Sequence, residues 1–261
     1  MSPSRPTGGR GAGSRSSGLG GEQVEGRRAV EELLSARRRR VRDVWLVQGA
    51  DPSPTLERIV QLATSARVPV RWVGRAQIDR EAFTDAHQGV LAHAEELGEA
   101  DLDRLAADPK AFLVVLEGVT DPHNVGAVMR SAECAGATGV VLARHRSVGV
   151  TPTVAKAAAG AIEHLPVATV PGIPGALQIL ARAGVWTVGL DVSAPASLFT
   201  LDLADQPIAL VLGAEGQGLT RLARARCDVL VSIPRHGALG SLNVSAAAAV
   251  ASFEVARRRH P

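Results

Sequence analysis

No tyrosine occurs in this chain of 261 residues, and Phe and Trp together bring the aromatic fraction to only 3%. A platform of stacked aromatic rings, common in single-strand binders, is therefore disfavoured as a mode of recognition. Cysteine is almost as scarce. Cys134 and Cys227 stand far apart, with no metal-ligand spacing. Neither a disulfide framework nor a metal site is expected, and a reducing cytoplasmic setting fits. No apolar run approaches the ~18 residues of a membrane span, and no signal-peptide pattern opens the chain. Lysine is represented only by Lys110 and Lys156, so arginine carries the positive charge behind a net +3. Arginine binds phosphate bidentately and stacks on bases, which makes RNA a natural partner. A GC-rich genome would favour arginine equally, and +3 is a weak field.

What is present divides along the chain. Residues 1–21 are rich in Gly, Ser and Arg without apolar periodicity and read as a disordered basic tail. Residues 22–98 show a compact α/β pattern. Val30, Leu33 and Leu34 mark a short helix, "TLERIVQLATSA" marks another, and "VWLV", "VPVRWV" and the segment around Val90–Ala94 read as strands. Three strands and three helices are expected there. Residues 99–110 form an acidic linker or short helix. From 111 to 261 apolar strands alternate with helices, including a single helix over "TVAKAAAGAI". That pattern predicts a mostly parallel sheet covered on both faces, whose ligand sits at the carboxyl ends of the strands.

Polar residues gather in three clusters just after strands. In "DPHNVGAVMR" Asp121 and Pro122 suit a helix start, and Asn124 can reach a ligand or brace the loop. Arg130 is placed to lean over Gly126 and Ala127 toward the strand end, or else to pair with Glu133. In "LVLGAEGQGL" the glycines at 213, 216 and 218 allow sharp turns and close approach, with Glu215 at the apex. The spacing is neither a dinucleotide fingerprint nor a P-loop, which disfavours a dehydrogenase. In "SIPRHGALGSLNVSAAAAVASFE" either Ser241 or Asn243 can cap a final helix. Its stripe of Val244, Ala247, Ala248, Ala251 and Val255 is small enough for another backbone to come close.

Together these three motifs, in this order, resemble the SpoU (TrmH-type) family of RNA ribose 2′-O-methyltransferases. The segment from "GRRAVEELL" to "HQGVLA" is similar to the small substrate-binding domain of the type that modifies a guanosine of bacterial 23S rRNA. The resemblance implies S-adenosylmethionine as cofactor, a deep trefoil knot at the carboxyl end, and a homodimer with the last helix at its interface. It implies functional roles for Asn124, Arg130, Glu215, Ser241 and Asn243. Cofactor contacts are implied at Leu190, Gly213, Glu215, Ile233, Leu242, Asn243 and Ser245. Arg235-His236 departs from the family, where methionine often follows the proline. A tRNA or another rRNA site remains an alternative substrate, and a silent RNA-binding relative a further one.

Overall fold

A computed structural model describes residues 19–84, 86–203 and 205–260. The first unit holds β1 (Gln23–Glu25), α1 (Arg27–Ala36), β2 (Val41–Val47), α2 (Pro54–Ser65), β3 (Val70–Val73), α3 (Arg75–Glu81) and β4 (Val90–Ala94). Its sheet runs β1-β4-β2-β3, with only β2 and β3 parallel. Apolar residues three and four apart give α1 and α2 one buried stripe each. Val30, Leu33 and Leu34 meet Leu56, Ile59 and Leu62 over the sheet. Ser53 caps α2, accepting from the Leu56 amide, and Pro54 opens its first turn. The fourth strand, β1, was not expected: three residues carry too little alternation to be legible. Leu19–Gly21, expected in the tail, are instead ordered. Leu19 is buried and exchanges backbone hydrogen bonds with Leu97. The rest of the expected tail, residues 1–18, lies outside the described residues.

The second unit begins with α4 (Leu102–Ala106), so residues 99–110 carry a helix whose Leu102 and Ala106 join the larger core. It continues with β5 (Phe112–Leu116), α5 (Pro122–Cys134), β6 (Gly139–Ala143), α6 (Pro152–Ala157), β7 (Val167–Val170), α7 (Ile173–Arg182) and β8 (Trp186–Leu190). Then come β9 (Ala196–Ser197), β10 (Ile208–Leu212), α8 (Arg221–Arg224), β11 (Val229–Ser232) and α9 (Val244–Arg259). The seven strands are ordered β7-β6-β5-β10-β8-β11-β9, and every pairing is parallel. Every residue of β5 and β10 is buried, as continuous apolar runs require in a doubly covered sheet. Helices α5, α6 and α9 cover one face, and α4, α7 and α8 the other.

The helix expected over "TVAKAAAGAI" is broken. α6 ends at Ala157, and a 3₁₀ turn (Ala161–Glu163) follows Gly160, whose φ of 91° no helix accommodates. A Cβ at Gly160 would lie 2.5 Å from that of Glu32, so this turn is where the first unit presses against the second. Beside it, Arg39 and Glu163 form an ion pair with side chains only 2% and 1% exposed. Arg39 also donates to the carbonyls of Gly21 at 3.0 Å and Glu95 at 3.1 Å. Burial pushes the Glu163 carboxyl above its usual range, against the pull of Arg39. Such a pair survives because its remaining polar groups are satisfied.

The last helix is held at both ends. Val244, Ala248, Ala251 and Val255 are buried, and α9 packs along α5. At its carboxyl end, Arg259 donates to the carbonyls of Lys110, Ala111 and Gln206 and lies 5.4 Å from the Phe112 ring centroid. Arg257 and Arg258 both bind the Glu254 carboxylate.

Two stability predictions follow from these charges. Glu163→Ala leaves a buried guanidinium without its anion and should cost about 3–5 kcal/mol in urea unfolding. Replacing Arg39 and Glu163 together by Met should cost less. The Arg257 hydrogen bond, with help from Arg258 and against burial, lowers the Glu254 carboxyl from 4.5 to about 2. A depressed carboxylate stabilises the fold above its unfolded value and ceases to as the pH falls through the folded one. Glu254→Gln should therefore flatten the decline in melting temperature between those two pH values.

Candidate active site

Three strand ends converge on one edge of the large sheet. After β5 the chain passes Glu117 and Gly118 and reaches Asp121, whose carboxylate caps α5 by accepting from the His123 amide at 2.9 Å. After β10 it enters the glycine loop. A Cβ on Gly213 would sit 2.0 Å from the carbonyl carbon of Gly218, so the loop folds back onto bare backbone. The Gly218 amide donates to the Ala214 carbonyl at 2.8 Å to close it. Gly216 and Gly218 have φ of 78° and 66°, which glycine alone adopts without strain. After β11 the third loop runs from Ile233 to Asn243.

Between these loops lies a cleft of about 340 Å³. Leu190, Leu212, Val231, Ile233 and Leu242 supply apolar walls, and Glu215, Ser241 and Arg235 stand among its polar groups. Convergent polar groups on an apolar hollow are the usual form of a small-molecule site. Arg235 reaches across the mouth to donate to the Val192 carbonyl at 3.2 Å. Burial alone would raise the Asp191 carboxyl. Hydrogen bonds from Ser193 and the charge of Arg224, 2.7 Å away, hold it below its usual value. Burial pushes the nearby Cys227 thiol up to about 12, so it supplies no thiolate at neutral pH. Among the described residues no group of three or more His, Cys, Asp or Glu is placed to hold a metal ion.

Of the residues singled out in the sequence, Leu190, Gly213, Glu215, Ile233, Ser241 and Leu242 line the cleft. Asn243 and Ser245 do not. The Asn243 Oδ1 accepts from the Ser245 amide at 2.8 Å and from its hydroxyl at 2.6 Å, so Asn243, not Ser241, caps α9. The Asn243 Nδ2 donates to Asn124 Oδ1 at 3.0 Å. The first and third motifs are thus joined directly, and Asn124, which does not line the cleft, braces the third loop.

Arg130 lies elsewhere. It is exposed, is not among the residues lining the cleft, and forms no ion pair with Glu133 among the described residues. A Cβ at Gly126, one turn before Arg130, would fall 2.4 Å from that of Ala157, so α6 packs directly on α5 at that position. Glu117 went unremarked in the sequence. Its buried carboxylate accepts from the Thr220 amide at 2.8 Å and the Thr220 hydroxyl at 2.9 Å, pinning the far end of the glycine loop to β5. A carboxylate directly after five apolar strand residues was the available signal.

The profile of the SpoU rRNA methylase family matches residues 111–253, and that of the RNA 2′-O ribose methyltransferase substrate-binding domain matches residues 23–100. The chain belongs to the SpoU rRNA methylase family. Among curated relatives, the 23S rRNA (guanosine-2′-O-)-methyltransferase RlmB of Shewanella oneidensis is 40% identical over 240 residues, covering 90% of this chain and 97% of its own. The protein of the same name in Pseudomonas aeruginosa is 39% identical over 245 residues, covering 92% and 98%. Among solved structures, the SpoU methyltransferase AviRb of Streptomyces viridochromogenes, in complex with the cofactor AdoMet, superposes with a TM-score of 0.75 at 27% identity, covering 91% of this chain and 89% of that one. The α/β architecture of this SpoU chain, with its mostly parallel sheet and amino-terminal substrate-binding unit, is that of the family.

The Asn124–Asn243 contact generates a measurable expectation. Asn243→Ala removes both the helix cap and the inter-loop bond, and should lower unfolding free energy by about 1 kcal/mol or more. Chemical denaturation checks this.

Proposed function

We propose that this protein transfers a methyl group from S-adenosylmethionine to the 2′-hydroxyl of a ribose in RNA, at a guanosine of 23S rRNA. The observation that carries the reading is the cleft, apolar in its walls and bounded by exposed loop backbone, at the carboxyl edge of the sheet. Those walls suit an adenosine: Leu190, Ile233 and Leu242 would pack on it, and backbone groups near Gly213 would bind its polar edge. Bound there, S-adenosylmethionine supplies an electrophilic methyl group on a sulfonium centre. Glu215 and Ser241, together with Asn124, would orient the ribose or base, while Asn243 holds the third loop in place. The carboxyl-terminal loops are expected to form the family's trefoil knot.

Arg130 would bind a neighbouring phosphate and stabilise the developing alkoxide. Its part is electrostatic, because a guanidinium has five N–H donors and no acceptor to take a proton. The absence of Arg130 from the lining of its own cleft supports a site completed by the opposing chain of a homodimer. The outer side of α9, where Val250 and Phe253 are 37% and 51% exposed, supports an interface there. No helix among the described residues is long and apolar enough to cross a membrane, and a cytoplasmic location with the ribosomal RNA fits the reading. The amino-terminal substrate-binding unit favours rRNA over tRNA, and the RlmB relatives support the same choice.

Incubation with methyl-labelled S-adenosylmethionine and separated rRNA and tRNA should place label in the 23S fraction. Label in tRNA alone would transfer the assignment to tRNA, and label in neither would favour a silent binder. Arg130→Ala should lower turnover by at least about a hundredfold while S-adenosylhomocysteine affinity stays within about twofold of wild type. Substantial residual turnover would remove Arg130 from the chemistry.

A further inference from the structure

We propose that the exposed loop after β6, Arg144-His145-Arg146, is a phosphate-contacting surface for the RNA substrate, with Arg146 as its principal contact. The inference rests on the RNA reading above and assigns residues that lie outside the three motifs.

The placement is set by the sheet. β6 is the neighbour of β5, so its carboxyl-end loop stands beside the turn that leads into Asp121 and Asn124. The two turns are bonded to each other. The Ser147 hydroxyl donates to the Val119 carbonyl at 3.1 Å, and the Val148 amide donates to the same oxygen at 3.2 Å. On its other flank the Arg144 amide donates to the Val170 carbonyl at 2.7 Å. The basic side chains are therefore presented on a braced turn, and less ordering is needed when a ligand binds.

The same loop adjoins the substrate-binding unit. The Gly20 amide donates to the Val150 carbonyl at 2.7 Å, directly after the basic segment. Arg39 in turn holds Gly21 and the buried Glu163. An RNA strand held by the first unit and reaching Asn124 has this turn along its way.

The charges are available. Arg144, His145 and Arg146 are consecutive and all exposed. Neither His145 nor Arg146 has a hydrogen-bonding or ion-pair partner among the described residues. Arg144 meets Glu99 at 3.4 Å, with side chains 57% and 36% exposed, a contact that solvent screens. The two arginines lining the cleft are committed, Arg224 to Asp191 and Arg235 to the Val192 carbonyl. Arg146 also holds φ at 60°, a conformation that glycine enters freely and a long side chain does not. The fold keeps a free guanidinium in a strained backbone position on the turn bonded to Val119, just before Asp121 and Asn124, and strain of that kind collects at functional positions. The loop has no aromatic ring to stack on a base, so its contact is with the backbone and independent of sequence.

Arg146→Gly separates the charge from the fold, because glycine relieves the backbone while removing the guanidinium. The full-length variant should melt no lower than wild type and bind S-adenosylhomocysteine as tightly. Its affinity for a 23S rRNA transcript should fall about tenfold at low salt, with the slope of log affinity against log salt smaller by about one. Arg146→Lys should retain most of that slope. Unchanged RNA affinity and slope in Arg146→Gly would overturn the proposal. Direct binding decides the role of the loop whatever the labelling experiment decides about methyl transfer.

Discussion

The site depends on backbone approaching backbone where no side chain fits. At Gly213 a single added carbon would overlap the Gly218 peptide, so the second loop can close only as glycine. Two further contacts then become possible. Glu117 reaches Thr220 beyond the loop, and Asn243 reaches Asn124 across the edge of the sheet. The cleft is the space these three approaches leave between them. The same economy of bulk continues into α9, where Ala248 and Ala251 let the helix lie close against the sheet face and α5. Small residues here serve proximity, and the polar groups act because that proximity has been secured.

Most of the large unit was legible in the sequence, because strands buried on both faces must be apolar throughout, and Phe112–Leu116 and Ile208–Leu212 are. The helix break at Gly160 was not legible: the residue turns left-handed where the chain packs against Glu32, more than a hundred residues away, at a position that local pattern marks as helical. Strand β1 was missed because its partner, not its own three residues, defines it. In the site, the lining residues Leu190, Ile233 and Leu242 came from family resemblance rather than from local chemistry. Asn243 was one of two candidate caps, with Ser241, that local pattern could not separate, and its second bond to Asn124 belongs to tertiary structure alone. Counting positions along α5 could not reveal that α6 packs on Gly126, a contact that belongs to tertiary structure.

The junction between the two units has a different physical character from the site. Burying Arg39 with Glu163 gains little net stability over an apolar pair. Its value is orientation: a guanidinium with fixed donors to Glu163, Gly21 and Glu95 accepts one docking geometry and rejects displaced ones. A substrate-binding unit is useful only if it delivers RNA at a set distance from the chemistry, so a directional contact suits this place better than a greasy one. The Glu32–His164 contact at 3.0 Å adds a weaker, solvent-facing restraint at the same joint.

The latch formed by Arg259 has a temporal meaning. It grips carbonyls at the starts of β5 and β10, while Asn243 secures the third loop from the other end of the same helix. During synthesis the first unit and the middle strands leave the ribosome well before this helix does. A nascent chain can therefore already hold a folded first unit while the cleft between the three loops is still open on one side.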